Sequence, residues 1–184
     1  MKTKLILILV LLFGISAFSN AQRLTPVQQA SSVQFQVSHK MIFRSTVTGS
    51  FSGLKGDIVF DAKDVRQSVF DVSVNAESIN TGISMRDSHL KEEDYFDTKK
   101  YPLIIIKSQK INKGDAVDTY FFTGTITMKG IKKAITFPFT IKTIPGGYQF
   151  KGSFDINRLD YQVGPDNSID KNVSVQLSVS AKQE

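Results

Sequence analysis

The side chains best suited to chemistry in this 184-residue chain are two histidines, His39 and His89, and the charged pair Arg86 and Asp87 that precedes the second. The histidines lie far apart and in no ligand-spacing motif, so a histidine metal site is not indicated. The absence of cysteine excludes a thiolate-bound metal, a thiol nucleophile and a disulfide scaffold. No G-x-S-x-G turn is present to carry a serine nucleophile. We therefore predict no catalytic site, no metal and no cofactor.

Each of these polar residues has two alternative roles. His39 shares the inward parity of the apolar residues before it, so it either meets the head group of a ligand or forms an ordinary hydrogen bond at a strand end. Arg86 either pairs with Asp87 or another carboxylate and pins its loop, or flanks a ligand head group together with His89. The residue types alone leave both alternatives open.

The first 21 residues have the organisation of a secretory signal peptide. Two lysines precede an apolar run at positions 5–15, and Ser19 and Ala21 place small residues at the −3 and −1 positions of a cleavage site. The run is far shorter than the ~20 residues that span a bilayer. We predict cleavage after Ala21, a mature domain at residues 22–184 without stable membrane insertion, and a periplasmic or secreted location.

The net charge of the mature domain is modest. Removal of Lys2 and Lys4 from the 23 basic residues leaves 21 against 17 acidic residues, a net charge of +4. The basic residues are scattered, and no stripe of interleaved aromatic and basic side chains is present. The sequence therefore predicts no nucleic-acid partner.

Alternation of apolar and polar residues dominates the chain from residue 33 onward. Val33, Phe35 and Val37 alternate with polar residues, and the same period of two recurs up to the C-terminus. Turn signals such as Gly146-Gly147 separate eight or nine segments of this kind. Many short strands with one apolar face, and no long helix between them, predict one all-β domain that is an antiparallel sandwich or a closed barrel.

One segment, residues 78–102, does not alternate. Asp87 or Ser88 can cap a short helix that runs as far as Tyr95. A long irregular connection in a compact β domain is typical of a lid, a plug or a binding loop. We predict one short helix within residues 84–98 of this loop.

The inward-facing positions of the strands form an apolar set rich in phenylalanine. Eight strands close a barrel whose interior is either just filled by side chains or able to hold one small ligand. The pattern therefore fits a filled hydrophobic core as well as a lipid cavity. The candidate lipid-contacting residues are Phe35, Val37, His39, Phe60, Phe70, Val72, Phe122, Ile126, Phe137, Phe139, Phe150, Phe154, Val175 and Leu177.

The run SINTGISMRDSHLKEEDYFDTKKYPLIIIKS at positions 78–108 resembles the signature of the YceI-like family of secreted lipid-binding proteins. Further stretches that resemble the family follow in the family's order and cover essentially the whole mature chain. They are FQVSHK at 35–40, VTGSFSGLKGDIVFD at 47–61, TGTITMKGIKKAITFPF at 123–139 and NRLDY at 157–161.

This resemblance implies an extended, lipocalin-like, eight-stranded antiparallel β-barrel that encloses a tunnel for a polyisoprenoid, a quinone or a fatty-acid-like chain. It implies a carrier or binding protein without catalytic activity, and it suggests a homodimer. The alternatives are a secreted interaction module with a filled core and a small enzyme on a lipocalin-like barrel. A polyprenyl chain has almost no hydrogen-bonding groups, so a tube of Phe, Val and Ile side chains suits its chemistry.

Overall fold

The computed structural model describes residues 21–39 and 45–183, so the predicted signal peptide lies, apart from Ala21, outside the described residues. The described chain contains strands, short 3₁₀ turns and one α-helix, α1, at Ser84–Leu90. The strands are β1 Gln22–Pro26, β2 Ser32–His39, β3 Ser45–Phe51, β4 Lys55–Phe60, β5 Val69–Asn75, β6 Leu103–Lys113, β7 Thr119–Met128, β8 Ile131–Ile144, β9 Gly147–Asn157 and β10 Ile169–Lys182.

The strands form one closed antiparallel barrel with eight positions around its wall. β1 and β2 occupy one position, interrupted by the 3₁₀ turn Gln28–Ala30, and β3 and β4 occupy the next. From β4 to β10 each strand pairs with its successor, and β10 closes the ring by pairing with both β1 and β2. The predicted eight-stranded antiparallel barrel with one short helix is confirmed.

The side chains of β8 illustrate how the alternation of the sequence builds the wall. Phe137 and Phe139 are buried, whereas Thr136, Pro138 and Thr140 are exposed. Successive side chains of a strand point to opposite faces, so a period of two in the sequence becomes an apolar interior and a polar exterior. The inward parity predicted for β8 is the one that the structure has.

One end of the barrel is filled by a cluster of aromatic side chains, here called the aromatic plug. The ring of Phe70 packs edge-on against that of Phe150 with 5.1 Å between centroids, and Phe122 stacks on Phe137 at 4.8 Å. Such aromatic pairs contribute stability beyond the area that they bury. The plug consists of Phe60, Phe70, Phe122, Phe137, Phe139 and Phe150.

The connection from β5 to β6, residues 76–102, covers the other end of the barrel and is here called the cap segment. Among the described strands β3 pairs only with β2, and its other edge is bridged by the cap segment. The amide of Ser50 donates to the carbonyl of Asn80 at 2.9 Å, and the amide of Asn80 donates to Ser50 at 3.0 Å. The backbone amide and carbonyl of Ser50 are thereby satisfied on an edge that no strand covers in the described residues.

The helix of the cap segment begins and ends earlier than predicted. It begins at Ser84 and ends at Leu90, so the expected cap at Asp87 or Ser88 and the expected end near Tyr95 are wrong. Asp87 lies inside the helix, and its carboxylate accepts hydrogen bonds from the backbone amide and the hydroxyl of Thr81, which precedes the helix. It therefore does not act as the N-cap residue. After Leu90 the chain continues in turns, which include Asp97 at a φ of 46°.

Two neighbouring loops hold the cap segment in place. The ammonium of Lys129, in the turn between β7 and β8, donates to the carbonyl of Glu93 at 2.6 Å and to that of Gln162 at 2.9 Å. The amide of Gly164, in the loop between β9 and β10, donates to the carbonyl of Asp94 at 2.8 Å. The cap segment is therefore fixed to the rim of the barrel by charged and neutral hydrogen bonds.

Candidate functional site

Two apolar chambers lie inside the barrel between the cap segment and the aromatic plug. The chamber beneath the cap segment, here called the mouth chamber, has a volume of about 250 Å³. The inner chamber is smaller, at about 70 Å³. Phe35, Phe51, Met128 and Val175 line both chambers, which therefore adjoin along one tunnel.

The order of the chambers along the tunnel can be followed on β10. Ile169 and Val173 line the mouth chamber, Val175 lines both, and Leu177 lines the inner chamber. Val179, which also lines the inner chamber, pairs with a residue of the plug, Phe150 of β9. The tunnel thus runs from the cap segment inwards and ends at the aromatic plug.

The mouth chamber combines an apolar wall with a few polar side chains. The cap segment contributes Leu90, Tyr95 and Phe96 to the wall, so these residues cover the tunnel. The polar or charged residues of the lining are Ser38, His39, Arg86 and Arg158. Among the described residues that line this chamber there is no aspartate or glutamate, so its charged groups are cationic.

Arg158 is the most deeply buried of these cations, with 7% of its surface exposed. It begins the 3₁₀ turn Arg158–Tyr161 after β9, and its guanidinium donates only to uncharged oxygen atoms in the described residues. A buried charge needs hydrogen-bonding partners, and these oxygens supply them without cancelling the charge. The acceptors are the carbonyls of Val163 at 2.8 Å, Pro165 at 2.9 Å, Ile169 at 2.9 Å and Asp170 at 3.0 Å, and Oδ1 of Asn167 at 3.3 Å.

Arg158 was not among the residues that sequence reasoning selected. It stands within the NRLDY stretch at 157–161, which carried part of the family resemblance, so a signal for it existed. The apolar alternation that identified the other candidates cannot find a buried arginine, because the side chain is polar.

His39 and the Arg86 region were the sequence-predicted polar candidates. His39 lines the mouth chamber and its Nε2 lies 2.9 Å from Oγ of Ser168, so it combines a strand-end hydrogen bond with access to the tunnel. Arg86 also lines the chamber, but it pins its loop through Thr81 and not through Asp87. Its Nε donates to Thr81 Oγ1 at 2.7 Å and its Nη2 to the Thr81 carbonyl at 2.8 Å.

Asp87 and His89 lie outside the chamber linings. Asp87 accepts a hydrogen bond from the amide of Thr81 at 2.8 Å and another from its hydroxyl, so it supports the same turn as Arg86. His89 is exposed and packs edge-on against Tyr95, with 4.8 Å between the rings. The structure therefore does not bring Arg86 and His89 together around one chamber.

The apolar candidates divide between the tunnel and the plug. The sequence gives both groups the same inward parity, but they occupy different depths of the barrel. The predicted residues that line a chamber are Phe35, Val37, His39, Val72, Ile126, Phe154, Val175 and Leu177. The others, Phe60, Phe70, Phe122, Phe137, Phe139 and Phe150, belong to the aromatic plug.

Phe35 occupies its position in the tunnel because Gly49 faces it on β3. The two residues are direct neighbours in the β2–β3 ladder. A Cβ atom at Gly49 would lie 2.3 Å from Cζ of Phe35, so any other residue would force the ring to move. The missing side chain of Gly49 thus sets the orientation of an aromatic ring that lines both chambers.

A closed, eight-stranded antiparallel barrel with an apolar tunnel beneath a cap defines a lipocalin-like barrel. The model of the YceI-like domain matches residues 24–181 of this chain, which therefore belongs to the YceI-like family.

The relatives and solved structures agree with this assignment. A UPF0312 protein of Shewanella denitrificans is 30% identical over 161 residues, which cover 81% of this chain and 80% of the relative. Protein YceI of Escherichia coli O157:H7 is 32% identical over 109 residues, which span 59% of this chain and only 54% of that protein.

The fold is also similar to those of two solved structures. BcnA of Burkholderia cenocepacia has a TM-score of 0.77 at 24% identity, with 84% of this chain and 98% of BcnA covered. A polyisoprenoid binding domain from Saccharophagus degradans has a TM-score of 0.68 at 15% identity, with 90% of this chain and all of that domain covered. At these identities the likeness concerns the fold.

Within residues 21–39 and 45–183 no helix has the length and apolar character to cross a membrane. In the same part of the chain no cluster of three or more histidine, aspartate or glutamate side chains is arranged to hold a metal ion.

Proposed function

We propose that this protein binds a lipid, which is a polyisoprenoid, a quinone or a fatty-acid-like lipid. The mouth and inner chambers hold the hydrocarbon part of this ligand. The observation that carries the proposal is the tunnel itself, an apolar cavity of about 250 Å³ that continues into a second one of about 70 Å³. The polyisoprenoid binding described for the similar domain of Saccharophagus degradans supports the same class of ligand.

The energetics favour a ligand that is mostly hydrocarbon. Each buried methylene group contributes about 0.8 kcal/mol, so about ten to fifteen of them supply about 8–12 kcal/mol. With an entropic cost of association of about 4 kcal/mol, the longest of these chains retains about 8 kcal/mol, which corresponds to micromolar affinity. Polar groups belong near His39, Arg86 and Arg158, because the inner chamber has apolar walls apart from Gln34 and Ser73.

The chain would act as a carrier outside the cytoplasm. The N-terminal sequence supports export with cleavage after Ala21, and a lipid that crosses an aqueous compartment needs a protein to cover it. Within this proposal the protein binds without catalysis, does not use nucleic acid as a partner and forms a homodimer, as the family resemblance suggests.

Native mass spectrometry of the purified mature protein, followed by organic extraction, tests the proposal. We expect a mass above that of the polypeptide and an extracted isoprenoid or acyl lipid. A protein without bound lipid, which also takes up none when it is incubated with lipid vesicles, would favour an interaction module with a filled core. A chemically altered lipid after incubation would favour the small enzyme.

A further inference from the structure

We infer that the lipid carries an anionic head group, a carboxylate or a phosphate, which binds at the mouth chamber next to the guanidinium of Arg158 and the imidazole of His39. This inference rests on the proposed function and specifies the chemistry of its ligand. It assigns to Arg158 a binding role in addition to its role in the loop between β9 and β10.

The charged side chains of the mouth chamber are cationic. Arg158 and Arg86 both line it, and its described lining contains no carboxylate. Asp87 partly offsets the charge of Arg86, because the Thr81 hydroxyl accepts from Arg86 and donates to Asp87. Near Arg158, the side chain of Asp160 accepts from the side-chain amide of Asn157, and that of Asp170 accepts from the backbone amide of Asn172. The wall therefore presents positive charge that an anionic ligand can neutralise.

The charge of Arg158 is buried. Its guanidinium is surrounded by carbonyl and amide oxygens, and a charge in such a low-dielectric environment acts more strongly on a nearby ion than a surface charge does. The described bonds of Nη1 use one of its two hydrogens, on the carbonyl of Val163. Arginine suits carboxylate and phosphate groups because its donors are planar and paired.

His39 is linked to this cation through Ile169. His39 pairs in the β-ladder with Ile169, and the carbonyl of Ile169 accepts a hydrogen bond from Nη2 of Arg158 at 2.9 Å. Both side chains therefore belong to one corner of the mouth chamber, while apolar residues of β2 and β10 lead away from it into the tunnel. A head group in this corner leaves the hydrocarbon chain directed towards the plug.

A series of ligands with one chain and different head groups tests the inference on the unaltered protein. Dodecanoate, dodecyl phosphate, dodecanol and dodecylammonium are titrated calorimetrically at about pH 8, where the carboxylate is ionised. The ionic ligands are kept below their micelle concentrations and the alcohol below its solubility limit. We expect at least one anion to bind about tenfold or more tightly than the alcohol, with the ammonium weakest, since a hydrogen bond to a charged group is worth this much. The comparison of the two anions distinguishes a carboxylate from a phosphate.

The outcomes separate this inference from the proposed function. Equal affinity for the anions and the alcohol would contradict the anionic head group and leave lipid binding intact. Failure of all four ligands to bind would contradict lipid binding itself.

A variant series tests the role of Arg158. Arg158→Met should reduce the preference for the anion over the alcohol about tenfold, whereas a purely structural role would lower the affinity for both alike. Arg66→Gln removes an exposed charge from the loop between β4 and β5 and should leave the preference unchanged. If Arg158→Met does not fold, His39→Phe and the head-group series on the unaltered protein still decide the matter.

Discussion

The ring of Phe70 lies perpendicular to that of Phe150, at an interplanar angle of 89° and with 5.1 Å between the centroids. These rings come from β5 and β9, which do not pair in the barrel wall, so the contact spans the interior. It closes the tunnel at the point where the inner chamber ends, because Val179 of that chamber is the ladder partner of Phe150.

Shortening Phe70 should lengthen the tunnel. Phe70→Ala removes a ring that contacts three other members of the plug, and we expect a loss of about 3–5 kcal/mol in the free energy of unfolding. The space that is left should allow longer acyl chains to bind, so the chain length of highest affinity should increase. Denaturant unfolding and titration with a series of fatty acids measure both effects.

The matched control for this prediction is Val69→Ala, one position away on the exposed face of β5. It should change stability by less than about 1 kcal/mol and leave the preferred chain length unchanged. An unchanged chain-length preference in Phe70→Ala would show that the plug does not limit the ligand.

The parity of β8 predicts opposite results at two adjacent positions. Phe137→Asp places a carboxylate within the aromatic plug, where Phe122 and Phe154 stack on the native ring, and should destabilise the barrel by about 3–5 kcal/mol or prevent folding. Thr136→Asp lies on the exposed face and should change stability by less than about 1 kcal/mol. Thermal melts of the two variants compare them, and similar losses at both positions would disprove the assigned faces.

Gly49 should control the tunnel through the ring of Phe35. Gly49→Ala would place a Cβ atom 2.3 Å from Cζ of Phe35, so the ring must move within the chambers that it lines. We expect weaker lipid binding and a loss of about 1–3 kcal/mol in stability from overpacking. Calorimetric titration with dodecanoate measures the change in affinity.

Two further variants decide whether the effect passes through Phe35. Thr48→Ala, on the exposed neighbouring position of β3, should have no effect on affinity. Adding Phe35→Leu to Gly49→Ala should restore part of the lost affinity, because the smaller side chain relieves the clash. A double variant that binds as weakly as Gly49→Ala would show that the ring is not the cause.

The internal structure of the cap segment should depend on pH through Glu77, which joins its beginning to Lys91 and Thr98. A hydrogen bond from the hydroxyl of Thr98 and, next, the ion pair with Lys91 at 3.0 Å hold the pKa of the Glu77 carboxyl below its ordinary value of 4.5. A carboxyl with a lowered pKa contributes stability above the pKa of its unfolded state, and this contribution is lost as pH falls through the folded value. The cap segment should therefore loosen in acid, below about pH 4.5.

Hydrogen exchange of residues 84–98 at several pH values measures this loosening, with Glu77→Gln as the reference. The glutamine variant cannot ionise at this position, so the protection of its cap segment, relative to that of β8, should change less across the same range. A protein whose cap segment responds to pH in the same way with and without Glu77 would refute the role of this carboxyl.

The alternation of the sequence predicted the inward side chains of the strands from residue 33 onward, because parity is a local property of an extended chain. It did not predict β1, Gln22–Pro26. It could not separate the tunnel from the plug, since Phe154 and Phe150 share one parity of one strand. Phe154 lines the inner chamber and Phe150 fills the plug, and the difference arises from rings on other strands, such as Phe70. Depth along the barrel depends on register between strands that are distant in sequence.

The sequence indicated some of the polar residues that lie near the tunnel, but not the groups to which they form hydrogen bonds. The inward parity of His39 correctly placed it at the tunnel, but its contact with Ser168 joins residues 129 positions apart. Asp87 has the residue type of an N-cap. Its carboxylate instead accepts hydrogen bonds from the backbone amide and the hydroxyl of Thr81, and the helix begins before Asp87, at Ser84. Such competition is decided by the fold of the loop and is not visible in the spacing of the residues.

Locating the hydrocarbon chain by photolabelling tests most directly whether the tunnel binds a lipid. A dodecanoate with a diazirine near its terminal carbon is photolysed on the mature protein, and the labelled residues are mapped by mass spectrometry with and without an excess of unlabelled dodecanoate. We predict adducts on inner-chamber residues such as Ile126, Val175 and Leu177, and their loss when the competitor is present. Adducts confined to the exposed side of the barrel, such as Phe121, or labelling that the competitor does not reduce, would contradict the proposal that the tunnel holds a lipid chain.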